Sequence, residues 1–294
     1  MVRLSANLQG IALVTLSMAF LTSGDAVIKS MSEGYPPATF MAIPGVGFVL
    51  LFGLVARLRG ERVLDRRALS GAPLLRSLAE ILAAITMISA LGRVPLGLLT
   101  MILQTMPLIV TLGAVLAFGE RVGPRRWIAI VVGLFGVVVI LRPGQTAIST
   151  DVILAIGAAL ALSMRDLLSR AVSPDLSSIV LAAWAGTAVT IAGFVILFLS
   201  GTGIPQIPAS DVPGFLLLVL FWGGGGICIT AGMRVGEVSV VAPFRYMRLP
   251  MGIALGVVLF GEEIAVNMLI GIGIIVASGL FILSRERTVA RARR

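Results

Sequence analysis

Arg245 and Arg248 stand three residues apart in an otherwise apolar stretch, with Tyr246 between them. A guanidinium inside a membrane-length apolar run costs several kcal/mol by most estimates, so it marks a functional position unless an acid neutralises it. On a helix that enters from one face near Val238, Arg245 would lie roughly 10 Å deep and Arg248 roughly 15 Å deep, close to the midplane. Both would share a face with Gly252. A paired guanidinium site suits a carboxylate or phosphate, because the planar fork matches two acceptor oxygens. Trp222 and Gln104 are further candidates for the wall of the same site. Gln104 belongs to Leu103-Gln104-Thr105-Met106, the earlier stretch that corresponds to this one and carries no cation. The chain has no His, so a proton would have to travel on a carboxylate, and the candidates are Asp25, Glu80 and Asp166.

Each of these residues also admits a structural reading. Glu80 lies one turn beyond Arg76, at nearly the depth of Arg245, and a buried Arg245–Glu80 ion pair would leave Arg248 to line the cavity. Asp25 and Asp166 each have a cation four residues on, Lys29 and Arg170. They read either as coupling groups or as interfacial salt bridges whose basic ends snorkel outward. Glu120 and Glu262 fall at helix ends and read as packing or capping groups.

The elements that must hold these side chains are membrane helices. Hydrophobic residues make up 58% of the chain, charged residues only 13%, and the mean hydropathy is +1.06. A soluble domain carries about 25% charged residues. Ten apolar segments can be marked near 8–28, 36–56, 73–91, 95–117, 125–142, 152–170, 178–199, 212–232, 239–260 and 264–284, most long enough to cross the hydrocarbon. Turn residues such as Gly34-Tyr35-Pro36-Pro37 and Val122-Gly123-Pro124 break them. The runs are continuous and lack the period-two alternation of a β-barrel. The first segment lacks a small-residue cleavage site and reads as a retained helix. The net charge of +9 sits in short loops and the tail, where it faces lipid headgroups and not nucleic acid. The lone Cys228 excludes an internal disulfide, no phosphate-binding G-x-x-x-x-G-K-[ST] occurs, and no nucleophile–base set or metal cluster is available. An enzyme is therefore not expected, nor any cofactor.

The chain also repeats itself. Arg93 matches Arg234, and Gly24-Asp25 with Lys29 matches Arg165-Asp166 with Arg170, all at a spacing of 141 residues; Phe118-Gly119-Glu120 matches Phe260-Gly261-Glu262 at 142. The halves run over 1–144 and 150–286, followed by a basic tail at 287–294. Arginines crowd the 57–67 and 121–126 loops and the tail, which the positive-inside rule places in the cytoplasm together with the N-terminus. The corresponding loops of the second half, 200–212 and 261–266, carry no Lys or Arg. The second half is therefore expected upside down. Inverted repeats are typical of secondary transporters, with the substrate site between the repeats near the midplane.

Phe118-Gly119-Glu120-Arg121, Arg125-Arg126-Trp127, Gly133-Leu134-Phe135-Gly136-Val137 and Leu141-Arg142-Pro143-Gly144 resemble the signature of EamA-type domains of the drug/metabolite transporter superfamily. Ala242-Pro243-Phe244-Arg245-Tyr246-Met247-Arg248 into Phe260-Gly261-Glu262 resembles the matching part of a second such domain. The resemblance implies an all-α integral membrane protein with ten transmembrane helices in two inverted five-helix repeats, around a central cavity. The expected function is non-ATP transport of a small organic metabolite bearing a carboxylate or other anionic group. The alternative is an accessory or lipid-translocating subunit. The expected setting is the bacterial inner membrane, with both termini cytoplasmic, as a monomer or homodimer, with the lipid bilayer and a small-molecule metabolite as partners and no nucleic acid.

Overall fold

The computed structural model describes residues 6–61, 66–119, 123–141, 149–173, 175–235 and 238–292; Glu120, Arg121 and the Arg142–Gly144 turn lie outside them. Among the described residues every regular element is helical. They are α1 (Ala6–Met31), α2 (Pro37–Leu58), a short 3₁₀ turn (Arg66–Leu69), α3 (Gly71–Leu91), α4 (Leu96–Leu103), α5 (Met106–Phe118), α6 (Pro124–Leu141), α7 (Thr150–Arg170) and α8 (Ser178–Leu199). There follow α9 (Val212–Leu218), a π turn (Val219–Gly223), α10 (Gly224–Val235), α11 (Val238–Val241), a 3₁₀ segment (Ala242–Met247), α12 (Arg248–Phe260) and α13 (Val266–Ala292). Among the described residues seven stretches are long and apolar enough to cross a membrane. Leu50, Leu54 and Leu58 on α2 and Ile128, Val131 and Phe135 on α6 are exposed, as lipid-facing side chains must be when the solvent is hydrocarbon.

Three of the expected unbroken segments are interrupted. The 95–117 segment breaks at Gln104–Thr105, just before Pro107, whose missing N–H cannot bond the carbonyl of Leu103. The 239–260 segment passes through six 3₁₀ residues, with Pro243 at their start and Pro250 in the first turn of α12, and the 212–232 segment through the π turn. Arg245 and Arg248 therefore do not sit on one regular α-helix as expected. The first lies in the 3₁₀ segment and is exposed; the second opens α12 and is half-buried.

The chain folds into two compact units, and each takes helices from both halves of the sequence. One unit comprises Met1–Ser23, Pro95–Ile153 and Gly225–Arg294; the other comprises Gly24–Val94 and Leu154–Gly224. In the first unit α6 packs on α13 where Gly136 and Gly271 meet backbone to backbone: a Cβ at either would stand 2.8 or 2.6 Å from the other's carbonyl oxygen. Ile140, Ile272 and Ile275 fill the seam with Met101 and Leu249, and the Asn267 amide donates to the carbonyls of Val139 and Ile140 at 3.2 and 3.1 Å. In the second unit α2 packs on α8 through Ala38, Ala42 and Leu197. Gly193 lies so near α2 that a Cβ would come within 2.6 Å of the Ala42 nitrogen. Small residues at both seams let backbones approach, which is how helices associate where no hydrophobic force acts between them.

Candidate functional site

Among the described residues, three groups of polar side chains in the spans bear on the expected site. In the second unit Arg165 on α7 reaches two carboxylates at once, Glu80 on α3 at 3.0 Å and its neighbour Asp166 at 2.7 Å. Arg76, one turn before Glu80, approaches that carboxylate at 3.5 Å, and its Nε donates to the Ser169 hydroxyl at 2.9 Å. Two cations thus face two anions, with side chains only 14–28% exposed. The expected partner of Glu80 was Arg245. The structure gives it Arg165 and Arg76 instead: α7 brings Arg165 to it within one unit, and Arg76 stands one turn before it on α3.

The same unit holds Asp25, 1% exposed in the last two turns of α1. The Trp222 indole N–H donates to its carboxylate at 3.3 Å. The indole lies over Gly24, so closely that a Cβ there would stand 2.3 Å from the ring, and Phe48 of α2 stacks on it with centroids 6.3 Å apart. The Lys29 ammonium donates to the Val94 carbonyl at 2.7 Å, and Asp25 and Lys29 both make further contacts.

In the first unit the helix break sets the chemistry. Pro250 cannot donate to the carbonyl of Tyr246 four residues earlier, and the Gln104 amide approaches that carbonyl at 3.5 Å. Gln104, Tyr246 and Arg248 are thereby brought to one neighbourhood. The Tyr246 hydroxyl, however, is buried against α13, where a Cβ at Gly279 would overlap it, and among the described residues it has no hydrogen-bond partner. Trp222, a further wall candidate, lies in the second unit with the three acids. Thr100 of α4 faces Gly252 of α12, where a Cβ would meet the threonine oxygen at 2.5 Å.

Glu262 acts as a cap. Its carboxylate accepts from the backbone N–H groups of Leu96 at 2.5 Å and Gly97 at 2.9 Å, at the N-terminus of α4. Negative charge is favoured there by the helix dipole and the unsatisfied amides.

Sequence reasoning passed over Arg165 as a hub. The signal was present: Arg165 occupies the repeat position of Gly24, and a position near a helix end that holds glycine in one copy and arginine in the other marks two different environments. It also passed over a cavity of about 330 Å³ at one end of the second unit, lined among others by Ser32, Glu33, Tyr35, Phe40, Ser89 and Arg93. The Tyr35 hydroxyl donates to Asp211 at 2.6 Å. That bond, with desolvation and the aspartate's charge, pushes the phenol above its usual range. Among the described residues no three His, Cys, Asp or Glu side chains could hold a metal ion.

A family model described as the EamA-like transporter family matches residues 8–142 and 150–284. The chain is similar to a riboflavin transporter of Rhizobium johnstonii, 26% identical over 87% of this chain and 84% of that one. A riboflavin transporter of Vibrio cholerae serotype O1 is 26% identical over 96% and 95% of the two chains. An S-adenosylmethionine uptake transporter of Rickettsia felis is 25% identical over 66% of this chain and 65% of its own. A solved crystal structure covers 97% of the chain with a TM-score of 0.65 at 18% identity, a likeness of fold.

Proposed function

Because the chain belongs to the EamA-like transporter family, we propose that it moves a small organic metabolite by alternating access through a central cavity, without ATP. It is a membrane transporter and not an enzyme, as the family and the transporters it resembles establish. The bacterial relatives support the inner membrane. The proposed frame is ten spans in two inverted repeats, 1–144 and 150–286, with the basic tail 287–294 and both termini cytoplasmic. The loss of arginine from the 200–212 and 261–266 loops supports it.

The substrate reading rests on Arg248, half-buried at the start of α12 beside Tyr246 and Gln104. Its fork fits a carboxylate, or the adjacent ring nitrogen and carbonyl acceptors of a flavin, since both offer two acceptors in one plane. The relatives named for riboflavin and for S-adenosylmethionine supply one candidate of each kind. Arg245, exposed on the 3₁₀ segment, attracts the same anion from further out. One of Asp25, Glu80 and Asp166 carries the coupling proton.

Counterflow tests this reading: proteoliposomes preloaded with unlabelled riboflavin or S-adenosylmethionine should take up the labelled compound. Arg248→Ala should weaken affinity by about 2–5 kcal/mol if the contact is desolvated, and Arg248→Lys should weaken it too, because the ammonium lacks the fork. Folded protein that exchanges neither compound nor any of a panel of carboxylates would leave an accessory or lipid-translocating role. Unchanged affinity in Arg248→Ala would remove that residue from the site.

A further inference from the structure

Asp25 and Asp166 occupy the same place in the two copies, and so do Phe221 and Glu80, 141 residues apart. The surroundings have diverged. In the second copy Asp166 is joined by Arg165 and, through it, by Glu80, so that both carboxylates serve as counter-charge to Arg165 and Arg76. In the first copy glycine replaces the arginine. Trp222, next to the position that corresponds to Glu80, lies over Gly24 and donates to Asp25.

Trp222 lies in the π turn. Val219–Gly223 places that wider turn between α9 and α10, and such single-turn bulges are frequent at functional sites. Three contacts hold the turn against α2: Val219 meets Gly47, Phe48 stacks on Trp222, and Gly223 lies against Leu51. Both chain segments change unit at this point, α1 between Ser23 and Gly24 and the later one between Gly224 and Gly225. Neither the π turn nor the stretch Gly45–Leu51 of α2 contains an ionisable residue. On α1, Lys29 lies one turn beyond Asp25 and its ammonium donates to the Val94 carbonyl; both residues make further contacts.

We infer that Asp25 is the carboxylate that binds the coupling proton and that Trp222, presented by the π turn, is its positioning residue. The inference deepens the proton-coupled reading above and rests on it for its role in transport. Protonation adds one O–H bond at a carboxylate oxygen, takes the side chain from −1 to neutral and breaks no covalent bond. The indole N–H can donate to the remaining carbonyl oxygen, so the pair stays together in both states while the charge beneath the π turn changes.

The indole itself supplies a substrate-free test. With Trp127→Phe and Trp184→Phe, Trp222 becomes the one tryptophan, since the chain has three. Its emission, followed in proteoliposomes from about pH 4 to about pH 9, should shift along a single proton titration, because a charge within hydrogen-bond reach changes the field on the ring. Asp25→Asn should abolish the shift, while Glu80→Gln should leave it. Gly24→Ala, which drives a methyl into the indole, should reduce its amplitude by about half or more. In transport assays Trp222→Phe should move the pH midpoint of accumulation by about one unit while the protein remains folded. A flat emission in the folded single-tryptophan protein, a titration that survives Asp25→Asn, or an unmoved midpoint in Trp222→Phe would each overturn the inference. Emission that titrates through Asp25 in a protein that transports nothing would support the assignment and refute the transport reading instead.

Discussion

Removing Arg165 should expose how far the second unit depends on its charge balance. Arg165→Gln keeps much of the side chain's length and polarity but leaves Glu80 and Asp166 with Arg76 as the remaining cation of the cluster. The lost contacts are 3.0 and 2.7 Å long. At the effective dielectric suited to protein sites, roughly 20, each is worth about 6 kcal/mol in gross Coulomb energy, before desolvation is subtracted. Removing one partner of a buried pair costs about 3–5 kcal/mol net. With side chains 23–28% exposed, the lower end applies, about 3 kcal/mol. A second change then offsets the first: Arg165→Gln with Glu80→Gln restores one cation against one anion, Arg76 with Asp166. The double variant should recover about 1–2 kcal/mol relative to the sum of the single changes, within the coupling range of residues in direct contact. Equilibrium unfolding in mixed micelles, run on the parent, both single variants and the double variant, closes the cycle. An interaction energy below about 0.5 kcal/mol would refute the cluster as a coupled unit.

Glu262→Ala should lower the unfolding midpoint of the purified protein, because two charge-assisted bonds to the start of α4 are lost, at about 1.5–3 kcal/mol each; Glu262→Gln should fall between, and an unshifted midpoint in the alanine variant would show that the cap contributes nothing. A cysteine placed at Ser210, with Cys228→Ser, should react with an impermeant reagent from the periplasmic side, and labelling from the cytoplasmic side alone would overturn the inverted topology. The Tyr35–Asp211 bond makes an alkaline prediction. A phenol raised above its ordinary value contributes stability that is complete below the unfolded-state value, near 10, and is lost as pH rises through the folded one. Tyr35→Phe should therefore flatten the alkaline loss of stability, and identical alkaline profiles for parent and variant would contradict the bond's role.

Helix content, the apolar membrane class and the two family-matching segments were open to reading because each depends on local order. Apolar run length, turn residues such as Pro36-Pro37, and the 141-residue echo of Gly24-Asp25 in Arg165-Asp166 need no knowledge of packing. Glu262 was likewise legible as a capping group from its place beside Gly261, although only folding chose the amides of Leu96 and Gly97, far away in the chain, as what it caps. The ion cluster was not legible. Hydropathy placed Glu80 at nearly the depth of Arg245, but depth alone does not select a partner. That choice was made when α3 and α7 joined one unit and Arg245 fell in the other. The broken spans lie between these cases, since Pro107, Pro243 and Pro250 forbid particular bonds in any sequence, whereas glycines 24, 47 and 223 reveal their close approaches to Trp222, Val219 and Leu51 only in the folded chain. A short-range rule can be read along the chain; a close approach between distant segments exists only once both surfaces have formed.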